Sequence, residues 1–492
     1  TELIGTKRMK QLILSLVLLF WTAVGIAENG PNIILIFTDD QGYGDLGCYG
    51  SPDIETPNID RMAAEGIRFT SFYAAPFCGP SRAALMTGCY PPRVNIAFNH
   101  VPGAQTGLNH DEISIAEVLK SQGYATKMIG KWHLGDHPHF LPLQHGFDEF
   151  FGLPYSNDMW PFNPRMPLGV NPDPRHVAIR ERAMITGFAN QDRPFPPGGG
   201  FPQPLPLYSG DKVLEFNPDQ TKITTWYTEH ALDFITKNKD NRFYLYVAHA
   251  MPHVPLYVSD KFKGKSRRGL YGDVMEEVDW SVGQILQKLK DLKIDEQTLV
   301  VYTSDNGPWL QYGIDGGSAG PLRGGKGSAW EGGMRVPAIM RWPGHIPAGI
   351  RTSEIAANMD LLPTFARLAG TQAPTDRIID GRDIWELMSG QPGAKSPHDS
   401  FYYFGGRRDS MGPPILRAVR HGPWKLHFSR GRGAGEPRGI ELYDLYSDVS
   451  ESRNLIERHP VIVDRLKGMA KDFTEKLAAN MRPIGRLPEN LR

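Results

Sequence analysis

Several groups of residues in this chain have types suited to polar chemistry, and most of them follow short apolar runs: Asp39-Asp40, Cys78 with Arg82, Lys131-x-His133, His253, Asp305-Asn306 and Lys326. Adjacent aspartates behind a buried segment repel one another unless a cation or hydrogen bonds compensate. Asp39 and Asp40 therefore read as a turn or helix cap or as ligands of a hard cation, and the cation is the favoured reading. Lys131, His133, His253 and Lys326 are catalytic candidates for charge stabilisation and proton transfer, although solvated surface residues look the same. Cys78 lies in Phe77-Cys-Gly-Pro-Ser-Arg-Ala-Ala-Leu-Met-Thr-Gly88, a loop running into a helix. Gly79 and Pro80 suit a turn and a first helical position, Ala83 to Met86 are good helix formers, and Gly88 is a stop. Cys78 then sits at or just before a helix N-terminus, which favours an anion. Arg82 lies one turn on and can point back toward it. On this local pattern alone, the cysteine is a buried small hydrophobe.

The elements around these residues alternate. Asn32 to Thr38 is a continuous apolar run of strand length, suited to a strand buried on both faces. Thr56 to Gly66 reads as a capped helix closed by glycine, Ile67 to Phe72 as a strand, Ile113 to Gln122 as an amphipathic helix, and Tyr124 to Ile129 as a strand. Thr221 to Lys237 and Val274 to Leu292 read as helices, Phe243 to Ala248 and Thr298 to Thr303 as strands. Such alternation implies helices over a largely parallel sheet, where ligands gather at the carboxyl ends of the strands. Asp39-Asp40, Lys131-x-His133, His253 and Asp305-Asn306 all fall at such ends, and Lys326 falls on a glycine-rich segment. From Pro161 to about Pro206 periodicity disappears and proline is dense, which reads as a substrate-shaping lid. After about residue 395, short alternating segments (Ile415–Arg420, Trp424–Phe428, Ile440–Asp444) indicate a small antiparallel sheet, with Val461 to Ala479 as a helix packed on it.

The string Cys78-x-Pro80-Ser81-Arg82, followed by Ala-Ala-Leu-Met-Thr-Gly, resembles the signature of type I sulfatases, in which a maturation enzyme oxidises the cysteine to formylglycine, an aldehyde hydrated in water. Taken with the strand-end residues, Gly152 to Asn157 and Glu331 to Pro337, nearly the whole mature chain is similar to the arylsulfatase branch of the alkaline phosphatase superfamily. Gly152 to Asn157 is similar to the arylsulfatase A and N-acetylgalactosamine-6-sulfatase subgroup. The resemblance implies a large, mixed, mostly parallel sheet sandwiched by helices (residues 28–395) and a small C-terminal α+β part (396–492). It implies one divalent metal on Asp39, Asp40, Asp305, Asn306 and the group derived from Cys78. The family's usual metal is Ca2+; the oxygen-only donor set also suits Mg2+, and no adjoining histidine points to zinc.

In the implied mechanism a hydroxyl of the hydrated aldehyde attacks sulfur, with Asp305 able to accept its proton. Arg82, Lys131 and Lys326 offset charge on the sulfate, His253 or Lys326 protonates the departing alcohol, and His133 takes the proton from the second hydroxyl. Lys131, His253, Lys326 and Ser156 are the substrate-binding candidates, with a capping role equally open for Ser156. His249 reads as a packed core histidine. Trp309 and Tyr312 are a sugar platform or core aromatics. A sulfated saccharide or aryl sulfate is the expected substrate. The alternatives are a phosphonate monoester or phosphodiester hydrolase of the same superfamily, and a non-catalytic binder of sulfated glycans.

At 492 residues the chain predicts two domains, one of them large. Lys+Arg and Asp+Glu balance at 54 each, so net charge gives no argument for nucleic acid or a membrane surface. Three cysteines are too few for a disulfide scaffold, and pairing of Cys48 with Cys89 stays open. Lys7, Arg8 and Lys10 precede an apolar run to Ala27, with small residues Gly25 and Ala27 before Glu28. This reads as a signal peptide over 1–27, and hence a periplasmic or secreted protein with no membrane contact after cleavage.

Overall fold

A computed structural model describes residues 30–161, 201, 203–405, 415–428 and 439–491. The signal-peptide reading over 1–27 and nearly all of the proline-dense lid reading fall outside them. Among these residues the main sheet has eleven strands. In chain order these are β1 (Asn32–Thr38), β2 (Ile67–Tyr73), then, after the short β3 (Thr106–Gly107) of a separate pair, β4 (Ala125–Lys131), β5 (Glu149–Leu153), β6 (Pro206–Ser209), β7 (Lys212–Phe216), β8 (Phe243–Ala248), β9 (Thr298–Ser304), β10 (Arg335–Arg341), β11 (Ile350–Thr352) and β12 (Ala356–Ala357). Their order is β11-β2-β10-β9-β1-β8-β4-β5-β6-β7, with β12 also on β2. The five central strands β9, β1, β8, β4 and β5 are parallel, and β10, β6 and β7 run antiparallel to their neighbours.

Burial on both faces explains why the first strand is apolar without alternation. Ile33, Leu35 and Phe37 enter one core, and Ile34 and Ile36 enter the other. The first core is closed by the helices Cys78–Thr87, Ile115–Ser121 and Leu361–Leu368; the second by Pro57–Ala64, Ile223–Lys237 and Leu270–Asp291. A capping box starts one of these helices: Ser114 Oγ accepts from Glu117 N while the Glu117 carboxylate accepts from Ser114 N.

Four further strands, β13 (Ser400–Gly405), β14 (Ile415–His421), β15 (Trp424–His427) and β16 (Glu441–Asp444), form an antiparallel sheet in sequential order. One face, through Val419, Leu426 and Leu442, packs on Val463, Leu466 and Ala470 of the Pro460–Ala478 helix. Phe401, Tyr403, Phe404 and Ala418 pack instead on Tyr73, Ala84, Tyr90 and Met334 of the main body. The last strand, β17 (Gly485–Arg486), returns to pair with β3.

Most expected elements are present within a few residues of their expected ends. β5, β10 and β13 were not foreseen as strands; β10 carries arginine at both ends and Pro337 within.

Candidate active site

Topology brings the polar groups together. Because β9, β1, β8, β4 and β5 are adjacent and parallel, their carboxyl ends share one edge of the sheet. That edge carries Asp305-Asn306, Asp39-Asp40, His253, Lys131 and Ser156 respectively. The Cys78–Thr87 helix runs up to the same edge, with Phe77 as its extended N-cap and Gly88 closing it in the left-handed region (φ 67°). Helical geometry starts at Cys78 itself, two residues before Pro80, so the expected turn at Gly79-Pro80 is instead the first helical turn. Asn99 Oδ1 accepts from Gly79 N at 2.8 Å, and Asn358 Nδ2 donates to the Ser81 carbonyl and hydroxyl at 3.0 and 2.9 Å. These two asparagines fix the helix start, and nothing in their sequence neighbourhood marks them.

Every member but Lys326 is buried, and the Lys326 side chain is 5% exposed. Cys78, Asp39, Lys131, His133, Asp305 and Asn306 have no exposed surface. The Cys78 thiol donates to Asp39 Oδ1 at 3.3 Å and lies 3.9 Å from Asp40 Oδ1. Lys131 Nζ is ion-paired to Asp39 and donates to Ser156 Oγ at 3.1 Å. Arg82 lies close enough to interact electrostatically with Cys78, and its guanidinium donates to Asp305 Oδ2 at 2.8 Å and to the Lys131 carbonyl at 2.6 Å. Lys326 Nζ donates to Asp40 Oδ2 at 2.7 Å and stands 3.0 Å from His253 Nε2. Ser156 Oγ is 3.3 Å from the same ring nitrogen, so the serine joins Lys131 to His253 rather than capping a helix. Asp40 and His133 both adopt left-handed backbone (φ 61° and 63°), a conformation that costs energy and is tolerated where the surroundings over-determine it.

Charge placement follows from these contacts. Burial opposes ionisation of Asp39, yet Lys131, His253 and Arg82 hold its carboxyl far below the usual range. Burial and the neighbouring Asp39 push Asp305 up to about 7. Burial pushes the Cys78 thiol well up, so the unmodified sulfur is a protonated, poor nucleophile. Burial and then Lys326 lower His253; burial and then Lys131 lower His133. Burial alone takes His249 down to about 4, and neither of its ring nitrogens has a hydrogen-bond partner among the described residues, as expected of a core histidine.

The donors fit a hard cation. Ligand atoms of Asp39, Asp40, Cys78 and His253 lie within 4.8 Å of one another. Asn306 Nδ2 donates to Asp40 Oδ1 at 2.7 Å, which leaves its carbonyl oxygen buried and without a partner among the described residues. An orphaned amide oxygen beside carboxylates suits an oxygen-seeking ion. Contrary to the sequence reading, a histidine does adjoin: His253 Nε2 is 3.5 Å from Asp40 Oδ2. The Lys326 ammonium at 3.0 Å from that nitrogen leaves little room for a second metal there.

This geometry has relatives. The sulfatase family's sequence profile matches residues 31–371, and a second, described as N-sulphoglucosamine sulphohydrolase, C-terminal, matches 325–479. N-acetylgalactosamine-6-sulfatase of Sus scrofa is 42% identical over 427 residues, covering 84% of this chain and 75% of that protein. The chain belongs to the sulfatase family. Arylsulfatase A of Homo sapiens is 39% identical over 465 residues, covering 89% and 86%. Among solved structures, Ps i-CgsB in complex with k-i-k-neocarrahexaose superposes with a TM-score of 0.73 at 32% identity, covering 90% of this chain and 93% of that one. This sulfatase is therefore an enzyme that hydrolyses sulfate esters, on an alkaline phosphatase-like fold.

Trp309 borders the polar cluster. It is half-buried, its ring lies 4.2 Å from Lys326 Nζ, and it meets the His253 ring edge-on with centroids 5.4 Å apart. Tyr312 is buried against it. Gln41, overlooked in the sequence, braces the acidic turn: its amide oxygen accepts from Thr38 and Tyr302 hydroxyls at 2.6 Å, and its backbone N–H donates to Ser304 Oγ. Among the described residues all three cysteines are free, and no helix is long and apolar enough to cross a membrane.

Proposed function

We propose that this sulfatase removes sulfate from a sulfated carbohydrate, using formylglycine formed from Cys78 and one calcium ion held by Asp39, Asp40, Asp305, Asn306 and the residue at 78. The observation that carries the reading is the convergence of three buried cations, Arg82, Lys131 and Lys326, on three buried carboxylates around Cys78. When bound, the metal supplies Lewis-acid polarisation and the hydrated aldehyde supplies the nucleophilic oxygen. The remaining work belongs to the chain's own side chains. Lys131 and Lys326 face the charge that grows on sulfate oxygens, in a site dry enough to strengthen them. Arg82, locked on Asp305 and the Lys131 carbonyl, keeps that pair in register. His253 donates its Nδ1 proton to the Val254 carbonyl, which leaves Nε2, facing Lys326, as the nitrogen that, once the ring is protonated, passes a proton to the departing alcohol. His133 bonds the His100 carbonyl through Nε2 at 3.1 Å, which leaves Nδ1 as the basic nitrogen for the step that releases sulfate.

Trp309 offers a sugar-stacking face beside Lys326. The relatives' printed activities, on N-acetylgalactosamine 6-sulfate and with a neocarrahexaose bound, support a saccharide. Residues 28–395 form the catalytic part, 396–492 the C-terminal part, and cleavage after 1–27 exports the enzyme. The test combines two measurements on protein matured in a competent host. Mass spectrometry of the Cys78 peptide should show loss of the thiol and an aldehyde-reactive product, and defined sulfated saccharides should release sulfate. Full activity with an intact cysteine, or turnover restricted to aryl sulfates, would overturn the corresponding half of the reading.

A further inference from the structure

Away from the metal cluster, buried charge is concentrated where the C-terminal sheet meets the turn Glu331–Met334. The Glu331 carboxylate is fully buried and accepts from Tyr73 and Tyr403 hydroxyls at 2.7 and 2.8 Å, Lys425 Nζ at 2.8 Å and Arg335 Nη1 at 3.2 Å. Lys425, on β15 and also fully buried, reaches Glu451 Oε1 at 2.9 Å, as does His427 Nε2 at 2.8 Å. Glu451 Oε2 closes the circuit by accepting from Glu331 N at 2.7 Å. Buried ion pairs of this kind add little net stability, because desolvation offsets their attraction, but they hold one geometry.

What they hold is the base of two active-site loops. From the anchored turn, Gly332 N donates to the Arg323 carbonyl at 2.8 Å and the Gly333 carbonyl accepts from Gly307 N at 3.0 Å, next to Asn306. A Cβ on Gly307 would come within 1.7 Å of the Gly332 carbonyl oxygen, so this contact is backbone on backbone. Arg323 is gripped a second time: its guanidinium donates to the Glu451 carbonyl at 2.7 Å and covers the Trp330 ring at 3.7 Å. Three residues on, past Gly324 in the left-handed region (φ 73°), stands Lys326.

We propose that Glu451, with Arg323, is a positioning residue for Lys326: the C-terminal sheet sets the place of the ammonium that faces sulfate. This rests on the reading of Lys326 given under the proposed function. It accounts for a fully buried glutamate 120 residues from the turn it caps, in a part of the chain that supplies no group to the cluster itself.

The test is a double-mutant cycle on matured, metal-loaded enzyme, with 4-nitrophenyl sulfate as probe, thermal unfolding as a check on folding, and bound metal measured. Glu451→Gln keeps the size but turns an acceptor into a donor against Glu331 N or Lys425. We expect kcat to fall roughly tenfold with KM little changed, as a displacement well under 1 Å warrants. In a Lys326→Ala background the same change should cost less than about twofold, because the group it positions is gone. If Glu451→Gln fails to fold, Arg323→Gln removes only the exposed clamp and should show the same non-additive loss. A loss that recurs in full on Lys326→Ala, or unchanged kcat in both Glu451→Gln and Arg323→Gln, overturns the positioning role and leaves Lys326 standing. Wild-type turnover in Lys326→Ala alone overturns the reading of Lys326, and the positioning role with it.

Discussion

Replacing His253 by alanine tests the leaving-group step most directly. The ring is held by Val254 on one side and meets Lys326 at 3.0 Å and Ser156 at 3.3 Å on the other. Burial and the lysine lower its pKa, which makes the protonated form a stronger acid than a free imidazolium. A sugar alcohol leaves poorly as its anion and needs that proton as the bond to sulfur breaks; a phenol of low pKa does not. General acid catalysis contributes ~10²–10⁴-fold, or about 2.7–5.4 kcal/mol of barrier at 1.36 kcal/mol per tenfold. His253→Ala should therefore cost kcat/KM on a sugar sulfate that full factor, and on 4-nitrophenyl sulfate less than about tenfold. Lys326→Ala provides the contrast. Its ammonium, with a pKa raised by Asp40 against the opposing effect of burial, is a weak acid but a durable charge, so its loss should slow both substrates alike. His249→Ala should show no dependence on the leaving group. Equal losses on both substrates for His253→Ala, or the selective pattern at Lys326 or His249 instead, would refute the assignment.

Two other outcomes follow from the same geometry. Chelation should abolish turnover and lower the unfolding temperature, with calcium restoring both, since an ion present at a hundred times its Kd adds about 2.7 kcal/mol; Asp40→Ala should be inactive and insensitive to chelator, and a chelated enzyme with unchanged turnover and melting would sink the metal assignment. His398 Nε2 bonds Asp360 Oδ1 at 2.6 Å, and although burial opposes the charge, Asp360 raises its pKa above 6.5. The native state thus holds the proton more tightly, and the pair's stabilisation is complete below pH 6.5 and lost as pH rises through the raised value. The melting-temperature gap between wild type and His398→Gln should be full below pH 6.5 and narrow as pH rises through the raised value; a widening gap would reverse the sign.

Much of the fold and site was legible because burial on both faces leaves a signature that alternation does not. Asn32–Thr38 and Phe243–Ala248 are apolar throughout for that reason, and the polar residues just beyond them mark the strand ends. β10 was illegible for the opposite reason. Arg341 looks like surface, yet it is buried because Glu65 and Asp295, 276 and 46 residues away, accept from it at 2.6–2.8 Å. Glu331 was part of a recognised motif, but its role depends on Lys425 and Glu451, 94 and 120 residues on. Local pattern carries periodicity and turn chemistry; it does not carry which distant charge neutralises which.

The charges at the site explain why so many must be assembled at once. Asp39, Asp40 and Asp305 face Arg82, Lys131 and Lys326, so the side chains alone come near neutrality, and Asp305 is the carboxylate that gives way, pushed up to about 7 by burial and Asp39. A divalent cation on the orphaned Asn306 oxygen and its carboxylate neighbours would keep all three ionised and leave the cluster with surplus positive charge. That surplus matches an anionic sulfate ester, and it becomes a better match as the leaving oxygen departs and the sulfate oxygens gain charge. With the cations fixed by buried partners before substrate arrives, little reorganisation accompanies that growth. Arg82 is held by Asp305 and the Lys131 carbonyl, and Lys131 by Asp39 and Ser156. Lys326 is held by Asp40 as well, but its side chain is 5% exposed, and its loop is tied through Arg323 to the C-terminal sheet, so its placement also draws on a glutamate outside the cluster.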